Sequence, residues 1–203
     1  MDKLTIVIPS GRLKKQCIEL LGISRELDKC SSRKLMWTTN DYKIIQAKPV
    51  DVPIYVEKGI ADCGFVGKDM LMENNYNVYE LLDCDIGHCH LAIAQTKEKR
   101  KIKVIASKYQ NITKKYCMDN NINAEVIKLN GSVELAPILG LADAILDIVS
   151  TGNTLRANDL IETTRVADIS VRLIANVSSY QTKRNSIVSL IKNLKEKKDA
   201  KAL

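Results

Sequence analysis

The 203-residue chain can form one large domain or two modest lobes, and its 45% hydrophobic content supplies the side chains for a core. A formal net charge of +7 suits an anionic partner, but one Trp and one Phe beside seven Tyr argue against a stacking platform for single-stranded nucleic acid. With no apolar stretch that could cross a bilayer and no export signal, we expect a cytoplasmic protein with reduced cysteines and no membrane partner.

The first predicted elements are a strand in "KLTIVIP" and a helix in "GRLKKQCIELLGI", whose apolar residues recur near helical spacing. Between them lie Ser10, Gly11 and Arg12. A positive charge in the first turn of a helix opposes the helix dipole, so Arg12 indicates a bound anion, whose oxygens a planar guanidinium group fits. The alternative is a solvated arginine beside an ordinary turn.

A similar strand end follows further along the chain. "DYKIIQAK" is a predicted strand, "DVPIYVEKG" a short helix, and "ADCGFVG" a strand that leads into the helix "KDMLMEN". Here Asp62, Gly64 and Gly67 let a ligand approach the backbone, and Lys68 offers a point charge. The alternative is that the glycines only permit close packing of a helix on the strand.

The second half continues the alternation. Predicted strands are "HCHLAIAQT", "KVIAS", "AEVIKL" and "VRLIANVSSY", and predicted helices are "KYQNITKKYCMDNN", the end of "NGSVELAPILG" and "NSIVSLIKNLKEKKDAKAL". Glu134 lies in the first turn of its helix, where it either complements the helix dipole or contacts substrate or metal. In the last helix, four apolar residues form a stripe that we expect to pack on the protein's own first lobe, the alternative being an interface with a partner subunit. They are Ile187, Leu190, Ile191 and Leu194.

The segment "DAILDIVSTGNTLRANDLIE" (residues 143–162) combines a buried strand, "AILDIV", with a small polar loop and a predicted helix, "LRANDLIE". Ligands of α/β proteins bind at such carboxyl ends of strands. Gly152 can adopt a positive φ angle, so that successive backbone N–H groups converge on one phosphate group beside the loop hydroxyls. Asp147, just before the loop, is placed to accept hydrogen bonds from ribose hydroxyls. An ordinary strand, turn and helix is the alternative.

These segments, in this order, resemble the ATP phosphoribosyltransferase family, which catalyses the first step of histidine biosynthesis. The matching stretches are "PSGRL", "DVPIYVEKGIADCGFVGKD", "YELLDCDIGHC" and "KLNGSVELAPILGLADAILDIVSTGNTLRANDLIE", and they cover most of the chain. Because the chain ends soon after "SSYQTKRNSIVSLIKN", it resembles the short form of the family, which lacks the C-terminal regulatory domain.

The resemblance implies a two-lobed α/β fold like the type II periplasmic binding proteins, with the active site in the interlobe cleft. Lobe I would comprise residues 1–87 and 178–203, and lobe II residues 88–177. The implied reaction is Mg²⁺-dependent transfer of the 5-phosphoribosyl group of phosphoribosyl diphosphate (PRPP) to N1 of the adenine of ATP, with release of pyrophosphate. The implied partner is a regulatory subunit similar to histidyl-tRNA synthetase, through which histidine inhibits, in a hetero-octamer.

The resemblance also implies roles for the loop and the acid before it. Asp147 would bind the ribose hydroxyls of PRPP. The 5-phosphate would be bound by Ser150, Thr151, Gly152, Asn153 and Thr154. Many other phosphoribosyltransferases carry two adjacent acids before this loop, whereas Leu146 precedes Asp147 here. A second hydroxyl contact or an Mg²⁺ ligand must therefore come from elsewhere, with Glu134 and Asp143 as candidates.

Five further positions would serve the polyphosphate of the nucleotide or of PRPP. They are Gly11, Arg12, Asp62, Gly64 and Lys68. No dedicated general base is expected, because adenine N1 is already nucleophilic and pyrophosphate leaves readily once Mg²⁺ and basic side chains neutralise it. The protein would act by alignment and electrostatics.

Two other functions fit the same pattern. A non-catalytic solute-binding or sensor module could use the same two-lobed scaffold to hold an anionic metabolite, because fold does not determine function. A regulator could keep the PRPP site and perform no transfer. The loop "TGNT" together with Asp147 favours the enzyme over both.

Overall fold

The computed structural model describes residues 3–24, 34–98 and 101–199, in which strands and helices alternate as the sequence predicts. The strands are β1 (Leu4–Pro9), β2 (Met36–Thr38), β3 (Tyr42–Ala47), β4 (Cys63–Gly67), β5 (Val78–Asp83), β6 (Cys89–Thr96), β7 (Val104–Ser107), β8 (Glu125–Lys128), β9 (Ala144–Val149), β10 (Leu160–Ile169) and β11 (Val171–Asn176). The helices are α1 (Arg12–Leu21), α2 (Val52–Glu57), α3 (Lys68–Glu73), α4 (Gln110–Asp119), α5 (Leu135–Ile138), α6 (Asn153–Ala157), α7 (Val177–Thr182) and α8 (Arg184–Asp199). Within the described ranges, none of the helices has the length and hydrophobicity needed to span a bilayer.

The chain divides into two compact units, each built on its own sheet. The first unit combines the chain up to Leu71 with Asn75–Gly87 and the part from Ser170 onwards, and the second combines Met72–Asn74 with His88–Ile169. The predicted boundary after residue 87 agrees with this division. The predicted boundary between residues 177 and 178 is corrected to lie before Ser170, because β11 pairs with β4 and β5 of the first unit.

The sheet of the first unit has the strand order β2-β3-β1-β4-β11-β5. Strand β1 pairs in parallel with both β3 and β4, so the carboxyl ends of these three strands lie at one edge. As predicted, the last helix packs on this unit. Ile187, Leu190 and Leu194 of α8 are buried in the same core cluster as Ile6 and Phe65 of the sheet.

The sheet of the second unit has the strand order β10-β6-β9-β7-β8. Strand β7 pairs in parallel with β8 and β9, whereas β6 pairs antiparallel with β9 and β10. The sheet is therefore mixed, and β9 has a parallel neighbour, β7, on one side only. Alternate residues of β9, Ile145 and Val149, face a core cluster that also contains Ala92, Ala94 and Leu155.

One predicted helix is wrong. "LRANDLIE" was expected to be helical throughout, but α6 ends at Ala157 and β10 begins at Leu160. Asp159 has a left-handed backbone (φ 54°), which helical residues do not adopt, so the chain turns there. Tertiary pairing then decides the outcome, because β10 forms a long antiparallel ladder with β6 and buries Leu160.

Gly64 is the second residue of β4 and a packing position, which corrects its assignment to a nucleotide or pyrophosphate site. A Cβ atom at Gly64 would lie 2.8 Å from both Val7 Cγ1 and Val56 Cγ2 and 3.0 Å from Val52 Cγ1. The missing side chain lets α2 approach the sheet closely, which is the alternative that the sequence had left open.

We expect Gly64→Ala to lower the free energy of unfolding by about 1–3 kcal/mol, because one methyl group overpacks this contact. Urea unfolding measures the change. Gly131→Ala is the matched control, since a Cβ atom there meets nothing within 4 Å. Equal unfolding midpoints for the two variants would contradict the packing role.

Candidate functional site

Three loops of the second unit emerge at the same edge of its sheet. Strands β8, β7 and β9 run parallel, with Ser107 opposite both Lys128 and Leu146. The loop after β8 leads to Glu134, the loop after β7 begins with Lys108, and the loop after β9 is residues 150–154. This edge is the one at which α/β sheets bind ligands.

The loop after β9 has the backbone that the sequence predicts. Gly152 adopts a left-handed conformation (φ 71°, ψ 4°) immediately before α6. The side chains of Ser150, Thr151, Asn153 and Thr154 are exposed. A Cβ atom at Gly152 would be strained by the backbone conformation and would lie 2.9 Å from Arg156 Nη1. The loop therefore presents hydroxyl groups and a glycine turn at the strand end.

Arg156 of α6, a residue outside the predicted site, holds this loop in shape through hydrogen bonds of its side chain. Its Nη2 donates to the backbone oxygen of Thr151 (2.8 Å) and to Asn153 Oδ1 (2.5 Å). Because α6 has only five residues, its dipole contributes less than the longer predicted helix would have. Anion binding would then depend mainly on the loop's N–H groups and hydroxyls, with Arg156 keeping the loop in shape.

Asp147 lies three residues before the loop and is held in a largely desolvated setting. Its side chain is 21% exposed, and Lys108 Nζ lies 3.5 Å from its Oδ1. Burial raises the pKa of Asp147 above its ordinary value; Lys108 and the N–H of Ile148 act to lower it, and Glu134 acts to raise it further. Burial thus outweighs the stabilisation that these neighbours give to the charged form, and a carboxylate in such a setting at a strand end is a candidate binding group.

The structure separates the two candidates for a metal ligand. Glu134 is electrostatically coupled to Asp147 and therefore belongs to this edge. Asp143 precedes β9, at the amino end of the strand, where its Oδ2 accepts from the backbone N–H groups of Lys103 (2.8 Å) and Val104 (2.9 Å). Asp143 is four residues from Asp147, which at a strand rise of about 3.3 Å per residue separates the two acids by about 13 Å. Asp143 is a structural acid, and its assignment to Mg²⁺ is corrected.

In the first unit, Gly11, Arg12 and Lys68 come to one edge. The parallel pairing of Ile6 with Cys63 and of Val7 with Gly64, when continued, brings Gly11 level with Lys68. Gly11 has φ 78° and ψ −144° at the start of α1, a conformation suited to glycine, and Arg12 is exposed. The predicted anion-binding group is thus brought together at carboxyl ends of β1 and β4.

Lys68 is part of a network of ion pairs at this edge. Its Nζ lies 2.6 Å from Glu80 Oε2, and Glu80 Oε1 is also 3.6 Å from Arg172 Nε. Arg172 Nη1 in turn lies 2.8 Å from Asp83 Oδ2. An incoming polyphosphate would have to compete with Glu80 for Lys68.

Asp62 lies elsewhere, and its assignment to the nucleotide site is corrected. It precedes β4, at the amino end, and is only 6% exposed. Its Oδ2 accepts from the N–H of Thr5 (2.8 Å) and from Lys183 Nζ (2.9 Å), and its Oδ1 accepts from Ser179 Oγ (2.7 Å). Both oxygens are therefore occupied by the protein itself. The position of Asp62 in the sequence could have indicated this, because a residue that precedes a strand lies at the edge opposite to the ligand-binding one.

Lys108 and Arg156 are the site residues that sequence reasoning missed. For Lys108 a signal was available, because it directly follows the predicted strand "KVIAS" and so lies at a carboxyl end. For Arg156 the signal was weak, since its role depends on the conformation of a loop three to five residues earlier.

Comparison with known proteins gives a consistent result. A family model described as "HisG: ATP phosphoribosyltransferase" matches residues 48–196. A protein from Geobacillus sp. (strain WCH70) described as "ATP phosphoribosyltransferase" is 45% identical over 201 residues, which cover 95% of this chain and 98% of that protein. The "ATP phosphoribosyl transferase (HisG:HisZ) complex from Thermotoga maritima" contains a chain with 33% identity and a TM-score of 0.82, and the match covers 97% of this chain and 99% of that chain.

A more distant structural likeness bears on the fold alone. The VFT2 domain of BvgS from Bordetella pertussis (a double mutant) has 11% identity and a TM-score of 0.60, with 94% of this chain and 85% of that chain covered. Together with the two sheets, these likenesses confirm the predicted two-lobed α/β class.

Proposed function

This chain belongs to the ATP phosphoribosyltransferase family, the enzymes of the first step of histidine biosynthesis, and we propose how its own residues carry out the transfer. In this reaction the bond from C1 of the ribose of PRPP to pyrophosphate breaks, and a bond from C1 to N1 of the adenine of ATP forms. The loop at residues 150–154 would bind the 5-phosphate of PRPP, and Asp147 would accept hydrogen bonds from its ribose hydroxyls.

One observation carries this assignment. A half-buried carboxylate and a left-handed glycine turn with four exposed polar side chains lie three to seven residues apart at the end of one strand. This spacing suits a phosphorylated pentose, which has a diol at one end and a phosphate group at the other. The family membership supports the enzyme over the solute-binding and regulatory alternatives.

The residues act by alignment and electrostatics. Hydrogen bonds at both ends of the pentose would fix C1 in front of adenine N1, which removes much of the entropic barrier. Positive charge develops on the ribose as pyrophosphate departs, and the Asp147 carboxylate is close to the sugar that carries it. No proton has to be removed from N1 before attack, so no general base is assigned.

The polyphosphate contacts are assigned to the first unit. Gly11, Arg12 and Lys68 lie at one edge of its sheet, and a guanidinium group and an ammonium group there suit phosphate oxygens. They would bind the polyphosphate of ATP or the pyrophosphate of PRPP.

Mg²⁺ is proposed as the metal of the reaction, bound chiefly through the phosphate oxygens of PRPP. The described residues hold no cluster of three or more potential metal-ligating side chains. This fits Mg²⁺, which is usually held by one or two carboxylates together with substrate phosphates. Glu134 would provide such a carboxylate, and the bound ion would neutralise charge on the departing pyrophosphate.

The Thermotoga maritima complex supports a proposal about assembly. We expect this chain to work in the cytoplasm with a regulatory subunit similar to histidyl-tRNA synthetase, in a hetero-octamer. Mass measurement of the chain alone and mixed with such a subunit tests this. A mixture in which the two proteins do not co-elute would contradict it.

The decisive activity test incubates the protein with ATP, PRPP and Mg²⁺, with and without the regulatory subunit, and follows formation of phosphoribosyl-ATP. A sensor module would bind an anionic metabolite without turnover. A non-catalytic regulator would bind PRPP and form no product in any mixture.

We expect Thr154→Ala to weaken PRPP binding by about 10- to 100-fold, since a hydrogen bond to a charged group is worth about 1.5–3 kcal/mol. Calorimetric titration with PRPP measures the effect. Thr164→Ala, at an exposed position of β10, is the matched control. Equal PRPP affinity of the two variants would place the phosphate elsewhere.

A further inference from the structure

Lys108 is brought to Asp147 by strand register. Parallel pairing of β7 with β9 joins Ile105 to Ala144, Ala106 to Ile145 and Ser107 to Leu146. Continued by one residue, the register places Lys108 beside Asp147, just beyond the end of β7. Lys108 Nζ lies 3.5 Å from Asp147 Oδ1.

The side chain of Lys108 is held in place by the residues next to it. Its Nζ lies 4.8 Å from the centre of the Tyr109 ring, within the range of a cation–π contact. Tyr109 is 1% exposed, and its N–H donates to Ser107 Oγ (2.9 Å). Ser107 Oγ donates in turn to the backbone oxygen of Leu146 (2.6 Å). The loop that carries Lys108 is therefore anchored to β9 next to Asp147.

Because the Asp147 carboxylate is largely buried, the positive charge of Lys108 matters more for it than it would for an exposed acid. Asp147 Oδ1 is buried, and within the described residues it completes no well-formed hydrogen bond. Opposite Asp147 on β6 stands Ala92, which is apolar and 1% exposed. A buried carboxylate oxygen without a hydrogen bond is costly, and the ammonium group of Lys108 is the cation that lies at ion-pair distance from it.

We propose that Lys108 is a positioning residue for the ribose of PRPP: its ammonium group keeps the Asp147 carboxylate charged and oriented, so that this carboxylate can accept the sugar hydroxyls. The proposal rests on the assignment of Asp147 to the ribose diol. At 3.5 Å the ammonium group is near enough for an ion pair without forming a short hydrogen bond. It can therefore remain in place while hydroxyl groups donate to the same carboxylate.

The alternative role for Lys108 is direct contact with the pyrophosphate of PRPP. Ribose 5-phosphate distinguishes the two roles, because it has the diol and the 5-phosphate and lacks the pyrophosphate. The experiment titrates the full-length chain with ribose 5-phosphate and with PRPP in separate calorimetric series. The variants are Lys108→Met, Lys108→Arg, Asp147→Asn and the double variant Lys108→Met/Asp147→Asn.

We expect Lys108→Met to lower the affinity for both ligands by about 10-fold or more, which corresponds to the loss of one charge-assisted contact. Lys108→Arg should restore affinity to within about 3-fold, and in the Asp147→Asn background Lys108→Met should change affinity by less than about 3-fold. In steady-state assays the KM for PRPP should rise while the KM for ATP stays unchanged. Lys115→Met, at an exposed position of α4, is the control and should match the unsubstituted protein.

Two results would overturn the proposal. Loss of PRPP affinity with unchanged ribose 5-phosphate affinity would assign Lys108 to the pyrophosphate. If Lys108→Met lowered the affinity equally in the unsubstituted protein and in the Asp147→Asn variant, Lys108 would not act through this carboxylate. Failure of the proposed function looks different: Asp147→Asn and Thr154→Ala would then both leave ribose 5-phosphate affinity unchanged.

Discussion

Replacing Asp147 with asparagine is expected to weaken PRPP binding by about 100-fold or more. Each hydrogen bond from a ribose hydroxyl to the carboxylate is worth about 1.5–3 kcal/mol, two such bonds are lost or weakened, and 1.4 kcal/mol corresponds to a factor of ten. Calorimetric titration measures the affinity, and the formation rate of phosphoribosyl-ATP should fall with it. Asp159→Asn is the matched control, because Asp159 is exposed and asparagine tolerates its left-handed backbone.

The same substitution should not destabilise the fold. Burial raises the pKa of Asp147 above its ordinary value despite the opposing effect of Lys108. A raised carboxyl pKa favours the folded state fully below the unfolded pKa of about 3.9, and this contribution is lost as the pH rises through the folded pKa. At neutral pH the charge is therefore a cost that Asp147→Asn removes. A variant that lost both PRPP affinity and stability would indicate a structural role for Asp147.

Asp62→Ala is expected to produce the largest loss of stability, about 3 kcal/mol of unfolding free energy, because several donors around a buried carboxylate are left without their acceptor and each costs about 1 kcal/mol or more. Three groups lose their acceptor, namely the N–H of Thr5, the hydroxyl of Ser179 and the ammonium group of Lys183. Urea unfolding measures the change. Asp41→Ala, at an exposed position, is the control and should stay within about 0.5 kcal/mol.

The contribution of Asp62 to stability should change with pH in the opposite direction to the contribution of Asp147. Burial acts to raise the pKa of Asp62, but its hydrogen bonds with Thr5, Lys183 and Ser179 outweigh burial and lower it. A lowered carboxyl pKa contributes stability above the unfolded pKa, which is lost as the pH falls through the folded pKa. The difference between Asp62→Ala and the unsubstituted protein should therefore shrink below about pH 4. A difference independent of pH would contradict this role.

These two acids show how a protein separates a structural carboxylate from a binding one. Asp62 has both oxygens satisfied by its own chain and is nearly inaccessible. Asp147 has a buried oxygen without a well-formed hydrogen bond in the described structure, and one lysine at ion-pair distance. The first arrangement gives stability, and the second leaves hydrogen-bonding capacity for a ligand.

Several features followed from local sequence because their causes are local. The run "AILDIV" was predicted as a buried strand and is β9, since a strand covered on both faces needs continuous apolar residues. The left-handed turn at Gly152 was predicted from the residue type and is present. The apolar stripe of the last helix was predicted from its helical spacing, and it packs on the first lobe, which was preferred over a partner interface.

Predictions from local sequence patterns were wrong where the pairing of strands far apart in the sequence decided the structure. The segment from Leu160 to Glu162 continued an acceptable helical pattern, yet it forms part of β10 because β6 offers it a full ladder of hydrogen bonds. The strand Val171–Asn176 was assigned to the wrong lobe for the same reason, since its partners are β4 and β5. Strand pairing joins residues far apart in sequence, so the apolar pattern of one segment does not reveal its partner.

The sequence alone determined the class of fold, the family and the strand–loop segment that carries the donor site, because these depend on residue types at short spacing. The tertiary structure alone decided which charged residues meet. It removed Asp62, Gly64 and Asp143 from the site, because strand direction places each carboxylate at an amino end and packing surrounds the glycine with valines. It added Lys108, because the register of β7 against β9 brings together an ammonium group and a carboxylate from separate segments of the chain.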